Sequence, residues 1–542
     1  MYVGDKSRIN VSSSKFTEFL LNGYLYIDKT AFIEHVLDDA SSVLLFTRPR
    51  RMGKSLNMDT LAAFLDCKQN TSHIFKGLYI ESSKVFIQIN QYPVVYLDFV
   101  ILNSANLEGL KKSFRRQVRD IIRKYFDVLE VGWDLKEYVD DPHDYSPDIL
   151  NSLLKAIAER YNKEPILIID EYDKVIMDTL NHPESDEIKS FIVNALQSAL
   201  KGQTHFKKAV LTGVTRTTKE SLFSNLNNLK VYDILKPSIY DADFSLTESE
   251  LLELVPENEL SGVRKWYNNM RVGKELLYNI YSVMNYLSNP EQGLMGYWSM
   301  TGGGGLLSSL LNSKRAEVIA IMLDDEYYRY NTTLDYQMNM DHLKNISNCS
   351  DISFYTIAVQ AGYFSFEQIN ENLFWVFIPN EEARRVWARL FLDTQYRDPI
   401  PRIIDIFNNI SDTEQFSQRL TDFASMALSY HDVVKNEAER LYHVFFFTLL
   451  YAMGHECHSN REAGLGRADI LLQTPQYNAI LEFKTSGSAA GLSLQKEADE
   501  AIKQIDDKEY WHGLMKSPLP IYKIGIACHG KKCLVKTVLH SA

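Results

Sequence analysis

The tripeptide Gly-Lys-Ser at residues 53–55 ends the stretch FTRPRRMGKS and could bind the phosphates of a nucleotide. In a phosphate-binding loop, backbone N–H groups and the N-terminus of a helix face the phosphates. Lys54 would neutralise the β- and γ-phosphates, and the hydroxyl of Ser55 would be a ligand of Mg²⁺. The consensus loop has an earlier glycine at the position where this chain has Arg48.

Arginines surround that position, and Pro49 restricts one backbone angle of the loop. This composition predicts a phosphate loop that is stiffer and more cationic than the consensus. The alternative is a solvated basic loop after a strand. The residues that we predict to contact the nucleotide from this loop are Arg48, Pro49, Arg50, Arg51, Met52, Gly53, Lys54, Ser55 and Leu56.

Two acidic residues end a second apolar run, PILIIDEYD at residues 165–173. We expect this run to be a buried strand beside the strand of the loop. Asp170 would hold Mg²⁺ through water, and Glu171 would orient or deprotonate the attacking water. A third apolar run, KKAVLTGVTR, ends near Thr212 and Arg216. These two residues could sense the γ-phosphate, or could serve only in capping and turns.

Two carboxylates and an amine of the C-terminal region could share one face of a sheet. The segments RADILLQT and NAILEFKT predict a hairpin centred on residues 475–476, which places Asp469 opposite Glu482 and Lys484 on the same face. Hard oxygen ligands suit Mg²⁺ or Mn²⁺, so the two acids would bind the metal. Lys484 would orient or help to deprotonate a water that attacks a phosphodiester. The alternatives are a structural hairpin with an exposed Glu–Lys pair, or an inactive descendant retained for binding.

The elements that position these residues follow from hydrophobic patterning. The run SSVLLFT at residues 41–47 predicts a strand, and helical spacing of apolar residues follows it, so the loop lies between a strand and a helix. In the C-terminal region, residues 436–454 predict a buried helix, residues 494–511 an amphipathic helix and residues 522–528 a last strand. If residues 455–460 form a strand, the order there is helix, three strands, helix, strand.

The N-terminal motifs together resemble the AAA-ATPase-like family that has Y-x-D-K-T ahead of R-P-R-R-x-G-K-S. Further matching segments are YPVVYLDF, LIIDEYDKVI, LTGVTRTTKESLFSNLNNL, DFSLTESEL, WYNNMRVG, YWSMTG and GYFSFEQ, within residues 15–395. The resemblance implies that Arg48 is the normal residue of this loop. It also implies an additional-strand, RecA-like P-loop fold with a helical or winged-helix region behind it.

The C-terminal pattern resembles the PD-(D/E)XK nuclease superfamily, which has an acid on the second strand and E-x-K on the third strand of an αβββαβ core. The segments GLGRADILL and ILEFK also resemble the nuclease domain that accompanies this ATPase family. The resemblance implies that Glu439 is the acid of the first helix, with Glu437 as its rival. It also implies that Gln504 is the polar residue of the later helix.

A zinc site at His455, Cys457 and His458 is a weaker interpretation, because the spacing is tight and lacks a distant second pair. We expect these residues to belong to a strand.

The five cysteines are scattered over the chain, and a disulfide framework is not expected. The apolar run at residues 444–454 is too short to span a bilayer, and the N-terminal stretch lacks the apolar core of a signal peptide. We therefore expect a cytoplasmic protein with no membrane contact.

The chain of 542 residues, with 45% hydrophobic and 24% charged residues, predicts an α/β protein of several globular domains. We expect a P-loop domain (residues 1–240) with a RecA-like or AAA-like parallel sheet. A helical or winged-helix lid and connecting region (241–400) and a restriction-endonuclease-like αβββαβ domain (401–542) would follow. The net charge of −12 does not favour nucleic acid, but local patches and metal ions can still meet phosphate.

These predictions describe an ATPase joined to a metal-dependent nuclease. ATP and Mg²⁺ would occupy the first site, Mg²⁺ or Mn²⁺ the second, and DNA or RNA would be the substrate. Assembly into a homo-oligomer is one option. The main alternative is a signalling or assembly switch controlled by nucleotide, in which the nuclease-like domain only binds nucleic acid or is inactive. A chaperone-like machine acting on protein is less favoured, because no clear pore-loop pattern is present.

Overall fold

The architecture comes from a computed structural model of the chain. The residues that it describes are 2–126, 133–141, 146, 148–180, 182–201, 205–215, 228–268, 270–298, 307, 311, 315, 318–319, 321–322, 328–335, 350–395, 400–427, 438–512, 514–515, 518–530 and 532–540. The chain forms two compact units. The first comprises residues 1–302 and 331–382, and the second comprises residues 303–330 and 383–542.

The strands and helices are numbered here in chain order. The strands are β1 Tyr2–Val3, β2 Tyr26–Ile27, β3 Val43–Thr47, β4 Val94–Asp98, β5 Ile166–Asp170, β6 Lys208–Gly213, β7 Leu229–Tyr232, β8 Met270–Val272, β9 Glu275–Leu277, β10 Tyr330–Thr333, β11 Ser365–Gln368, β12 Leu373–Phe377, β13 Glu456–Ala463, β14 Gly466–Gln473, β15 Asn478–Thr485, β16 Ile521–His529 and β17 Lys532–Leu539. The α-helices are α1 Phe16–Leu21, α2 Ala31–Asp38, α3 Lys54–Leu65, α4 Leu107–Tyr125, α5 Trp133–Asp140, α6 Ile149–Tyr161, α7 Lys174–Asp178, α8 Ser185–Leu200, α9 Glu248–Leu254, α10 Leu260–Tyr267, α11 Ile280–Ser288, α12 Asp351–Gln360, α13 Glu381–Gln395, α14 Ile400–Asn408, α15 Thr413–Ala427, α16 Ala438–Ala452 and α17 Gly491–Asp507.

A parallel sheet with the strand order β4-β5-β6-β3-β7 organises the first unit. All residues of β3, β5 and β6 are buried, which explains why each reads as a continuous apolar run rather than an alternating one. Because parallel strands end at the same edge, the phosphate-loop segment and the ends of β5 and β6 meet there. The predicted α/β P-loop architecture is confirmed.

The order of the strands corrects one expectation. We expected the acidic strand β5 to run beside the loop strand β3, but β6 lies between them and pairs with both. An inserted strand agrees with the additional-strand fold that the family resemblance implies. As a result, Thr212 of β6 pairs with Phe46 of β3 and lies between the loop and Asp170.

The second unit contains the predicted nuclease-like fold. Helix α16 is followed by β13, β14 and β15, then by α17 and β16, which is the expected αβββαβ order, and β17 adds an edge strand. The sheet order is β13-β14-β15-β16-β17, and β15 and β16 pair in parallel while the other neighbours are antiparallel. Cys457 and His458 lie in β13, as predicted for strand residues, whereas His455 directly precedes the strand.

Residues 241–400 contribute helices and two small sheets, the antiparallel pair β8 with β9 and the sheet β10-β12-β11, in which β11 and β12 are antiparallel. The division into three domains at residues 240 and 400 stays a prediction.

Cys528 and Cys533 face each other across β16 and β17 and form a disulfide, which the cysteine count did not predict. Among the described residues, no helix combines the length and apolar character needed to cross a membrane.

Candidate nucleotide and nuclease sites

The phosphate-loop lysine is held in place by the loop and by the acidic strand. Lys54 is the first residue of α3, and Gly53 before it has a φ of 81°, which favours glycine. The side chain is 3% exposed, and its Nζ donates to the carbonyl oxygens of Arg48 and Pro49 at 3.2 and 3.1 Å. The same Nζ lies 3.0 Å from Oε1 of Glu171. All three donors of the ammonium group are therefore engaged at the carboxyl edge of the sheet.

Asp170 is the buried acid of this site. It is 2% exposed, and burial raises the pKa of its carboxyl group, while hydrogen bonds from Ser55 and Thr212 oppose that shift. The hydroxyl of Thr212 donates to Oδ1 of Asp170. The hydroxyl of Ser55 also contacts the carboxylate of Asp170. Mg²⁺ at a phosphate loop prefers such a pair of oxygen ligands, so Ser55 and Asp170 fit the predicted ion.

Glu171 has a strained backbone. Its φ of 53° lies in the left-handed region, which costs a non-glycine residue about 1 kcal/mol or more. The conformation is held by its N–H, which donates to Oγ1 of Thr212 at 3.2 Å. The turn directs the carboxylate toward Lys54 rather than into the sheet. Strain of this kind is common at functional sites, and the catalytic role of Glu171 stays a prediction.

The two residues predicted to sense the γ-phosphate differ in outcome. Thr212 is fully buried, and its hydroxyl bonds to Asp170 and to the N–H of Glu171. Its hydroxyl therefore contacts both acidic residues, which agrees with the alternative of a capping and turn role, and a contact of Thr212 with the γ-phosphate stays a prediction. Arg216 lies outside the described residues.

Arg48 departs from the predicted cationic loop. Its side chain is 0% exposed, and Nη1 donates to the carbonyl oxygens of Thr47 and Tyr232 at 2.9 and 2.8 Å. The guanidinium lies 5.1 Å from the ring centre of Phe244, and burial lowers its pKa to about 10 against the opposing effect of nearby aspartates. Arg48 thus joins the start of the loop to the interior, and only its backbone carbonyl reaches Lys54.

The other loop residues line a cavity of about 430 Å³. Arg50 and Arg51 are exposed at its wall, and the guanidinium carbon of Arg51 lies 4.6 Å from the ring centre of Tyr281. Leu56 lines the same cavity, while Met52 is buried and its carbonyl accepts from the N–H of Ser245 at 3.1 Å. Apolar side chains far from the phosphate loop in sequence complete the cavity: Ile9, Val11, Leu25, Ile27, Ile280 and Met284.

The hairpin of the second site has the predicted register. Ile470 pairs with Leu481, and continuing this antiparallel register by one residue places Asp469 opposite Glu482. The backbone N–H of Phe483 donates to Oδ2 of Asp469 at 2.8 Å, so this carboxylate reaches across to β15. The expected pair of carboxylates on one sheet face is present.

Glu482 is the buried carboxylate of this pair. It is 2% exposed, and burial together with the charge of Asp469 raises its pKa to about 8. Its Oε1 accepts from Nε2 of Gln504, while its buried Oε2 has no hydrogen-bond partner among the described residues. An unsatisfied buried carboxylate oxygen beside a second carboxylate fits a divalent cation, which would supply the missing charge and ligand.

Lys484 and Gln504 complete a connected group. Nζ of Lys484 donates to Oε1 of Gln504 at 2.6 Å and lies 3.5 Å from Oε1 of Glu482. Gln504 therefore bridges the lysine and the acid through opposite ends of its amide. Within the described residues, no group of three or more His, Cys, Asp and Glu side chains could hold a metal ion, and the acids that the structure brings together here are Asp469 and Glu482.

The acid predicted on the first helix is not placed by the structure. Glu439 belongs to α16, but its side chain lies outside the described residues, as does Glu437 entirely. The same helix carries His443, whose Nε2 lies 3.0 Å from Oγ of Ser459 and whose ring lies 5.7 Å from that of Phe483. Because side chains alternate along a strand, Phe483 and Glu482 lie on opposite faces of β15, so these contacts do not place His443 beside the two carboxylates.

Two stretches of the chain match known protein families. Residues 10–223 match the family of predicted AAA-ATPases, and residues 437–538 match the PD-(D/E)XK nuclease superfamily. The chain fuses an AAA-ATPase-like region to a PD-(D/E)XK nuclease-superfamily region. The two matches support a nucleotide-binding region and a nuclease-like region in one chain.

One relative matches this chain along nearly its whole length. An uncharacterized protein of the vnfD 5′ region in Azotobacter chroococcum mcd 1 is 25% identical over 523 residues, 93% of this chain and 92% of the relative. The crystal structure of Cdc6p from Pyrobaculum aerophilum is 10% identical with a TM-score of 0.25, over 72% of this chain and 99% of that chain.

Proposed function

We propose that the fusion binds and hydrolyses ATP in its first unit and cleaves nucleic-acid phosphodiester bonds in its second. The observation that carries the nuclease proposal is the buried Oε2 of Glu482, unsatisfied beside Asp469 and near Lys484. A structural hairpin with an exposed Glu–Lys pair would not bury a carboxylate in this way, because an uncompensated buried charge is costly.

At the first site, the residues of the loop and of β5 have separate roles. Ser55 and Asp170 would hold Mg²⁺, which would screen the charge of the phosphates. Lys54 would exchange its contact with Glu171 for the β- and γ-phosphates, because both partners compete for the same ammonium group. This exchange would free the carboxylate of Glu171 to orient or deprotonate the attacking water.

The lining of the cavity supports binding of a whole nucleotide, with its base as well as its phosphates. Its apolar wall includes Leu25, Ile27 and Ile280, and Tyr281 offers an aromatic face that Arg51 already approaches. Apolar and aromatic side chains beside a cationic loop suit a base at one end and phosphates at the other. We therefore assign the base to this wall and the phosphates to the loop.

At the second site, Asp469 and Glu482 would hold Mg²⁺ or Mn²⁺, which would stabilise the charge that develops on the phosphate. Lys484 would position the attacking water, and Gln504 would hold the ammonium group at the correct distance from the acids. Glu439 would contribute as the helix acid, as the family resemblance implies. The substrate would be DNA or RNA, the polymer class that carries phosphodiester bonds.

We propose further that ATP turnover gates or loads the nuclease, since both activities belong to one chain. Cleavage by the full-length protein that is independent of ATP would contradict this coupling. The cytoplasm is the compartment in which we place both activities, and homo-oligomerisation is compatible with them.

A cleavage assay tests the proposal. Labelled single- and double-stranded DNA and RNA are incubated with the full-length protein and Mg²⁺ or Mn²⁺, with and without ATP. We expect Asp469→Ala to abolish cleavage and Lys54→Ala to abolish ATP turnover and its effect on cleavage. Asp499→Ala, a change on the exposed face of α17, is the matched control and should leave cleavage unchanged.

Two results would change the interpretation. Cleavage that persists in Asp469→Ala at the wild-type rate would remove the nuclease site from these residues. ATP turnover without cleavage of any substrate would instead favour the nucleotide-controlled switch, with the second unit as a nucleic-acid-binding module. Filter binding of the same labelled polymers would then decide whether that module retains binding.

A further inference from the structure

The turn after α17 presents a tyrosine to the nuclease site. Tyr510 is 2% exposed, and its hydroxyl accepts a hydrogen bond from Nε2 of Gln504 at 3.3 Å. The same Nε2 donates its other hydrogen to Oε1 of Glu482, and Oε1 of Gln504 accepts from Lys484. Both N–H groups of the Gln504 amide are thus engaged, and its oxygen accepts from a third partner.

The tip of the β13–β14 hairpin fixes the position of this tyrosine. The N–H of Leu465 donates to the carbonyl of Lys508 at 2.7 Å, which attaches the tip to the end of α17. Gly466 lies so close that an added Cβ would be 3.2 Å from the ring and 3.3 Å from the hydroxyl of Tyr510. The phenol therefore has little freedom to move away from Gln504.

We propose that Tyr510 is a positioning residue of the nuclease site, acting through Gln504. This inference rests on the proposed nuclease function. Lys484 and Glu482 are both held by one flexible side chain, and an amide with a free N–H could rotate about its terminal torsion. The hydroxyl of Tyr510 takes that N–H and so fixes the plane of the amide. Loss of this hydroxyl would leave Glu482 and Lys484 in the site but less well oriented.

The test is a double-mutant cycle in the full-length protein. Tyr510→Phe removes the hydroxyl alone, and Gln504→Met removes the amide through which it would act. We expect Tyr510→Phe to lower kcat for cleavage about 10-fold with KM unchanged. In the Gln504→Met background the same change should cost less than about 2-fold, because the coupling is gone.

Matched controls separate positioning from a structural role. Tyr477→Phe removes another buried hydroxyl of the same unit, which donates to the carbonyl of Phe407, and should leave kcat unchanged. Gly466→Ala presses on the phenol without removing it and should lower kcat in the same way as Tyr510→Phe. Equal costs in both Gln504 backgrounds, or no effect beyond that of Tyr477→Phe, would overturn the proposal.

Calorimetric titration with Mn²⁺ gives a readout that does not need cleavage. We expect Tyr510→Phe to weaken Mn²⁺ binding about 3- to 10-fold when Gln504 is intact and not in Gln504→Met. If wild type binds Mn²⁺ but cleaves nothing, the proposed nuclease function fails, and the calorimetric cycle alone decides the role of Tyr510. Unchanged Mn²⁺ affinity in Tyr510→Phe, or no Mn²⁺ binding by wild type, would overturn the inference.

Discussion

The buried carboxylate of Glu482 should make the metal-free second unit less stable as the pH rises. Its pKa is raised from 4.5 to about 8 in the folded chain, so the folded state keeps a proton that the unfolded state has lost between these values. Below pH 4.5 both states are protonated and stability is unaffected. Through the interval of about 3.5 pH units, stability falls by about 1.4 kcal/mol per unit, to a total of at most about 5 kcal/mol above pH 8.

Glu482→Gln removes the titrating group while keeping its shape and an acceptor for Gln504. We expect the variant to be more stable than the metal-free wild type at pH 9, by several kcal/mol, and to lose its Mn²⁺ binding. The gain arises because the wild-type site buries a charge that is compensated only when a cation is bound. A site built for function would in this way reduce the stability of its own fold.

Hydrogen exchange of the β15 amides measures this effect in the second unit alone. Opening free energies are obtained from pH 5 to pH 9 with a chelator, after correction for intrinsic exchange rates. Wild type should lose protection with rising pH, Mn²⁺ should restore it, and Glu482→Gln should show a flat profile. Glu500→Gln, an exposed change on α17, is the control. A flat wild-type profile, or an equally steep one in Glu482→Gln, would refute the reasoning.

Three further predictions concern single positions. Gly464→Ala should destabilise the second unit by about 2 kcal/mol or more in urea unfolding, because the residue has a φ of 52° and its Cβ would overlap backbone carbonyls, whereas Gly487→Ala meets no atom and should be neutral. Thr212→Val should lower the kcat of ATP hydrolysis about 10-fold with little change in nucleotide affinity, because the hydroxyl that orients Asp170 is lost; equal loss of affinity would contradict this. Asp173→Asn should lower the melting temperature of the first unit, since its buried carboxylate accepts two N–H groups and a hydroxyl from the segment after β6, and unchanged melting would contradict that account.

The second site was largely predictable from sequence because its geometry is local. A hairpin with a short turn has one register that keeps its apolar residues buried, and side chains alternate between faces with a period of two. Asp469, Glu482 and Lys484 therefore came together as expected. Gln504 could be placed only through the family resemblance, and Tyr510 was missed, because a turn after a distant helix has no such periodicity.

Arg48 shows where local reasoning failed at the first site. Its chemistry and its place in the loop both indicated a phosphate contact, but the carbonyl of Tyr232 and the ring of Phe244 hold the guanidinium in the interior. Those partners lie far from Arg48 in the sequence, so the residues near Arg48 could not predict these contacts. The same holds for the position of β6 between β3 and β5, because strand order depends on how crossovers pack on the sheet.

The sequence by itself determined which residues can do chemistry and on which elements they lie. The strand–loop–helix around Lys54 and the acidic ends of the apolar runs depend on short-range periodicity and turn chemistry, which neighbouring residues encode. Only the tertiary structure decided which side chains are buried and what they contact. Burial raises the pKa of Glu482 and leaves its Oε2 unsatisfied, and it removes Arg48 from the phosphate site. Desolvation depends on every element packed around a group, so it exists only once the chain has folded.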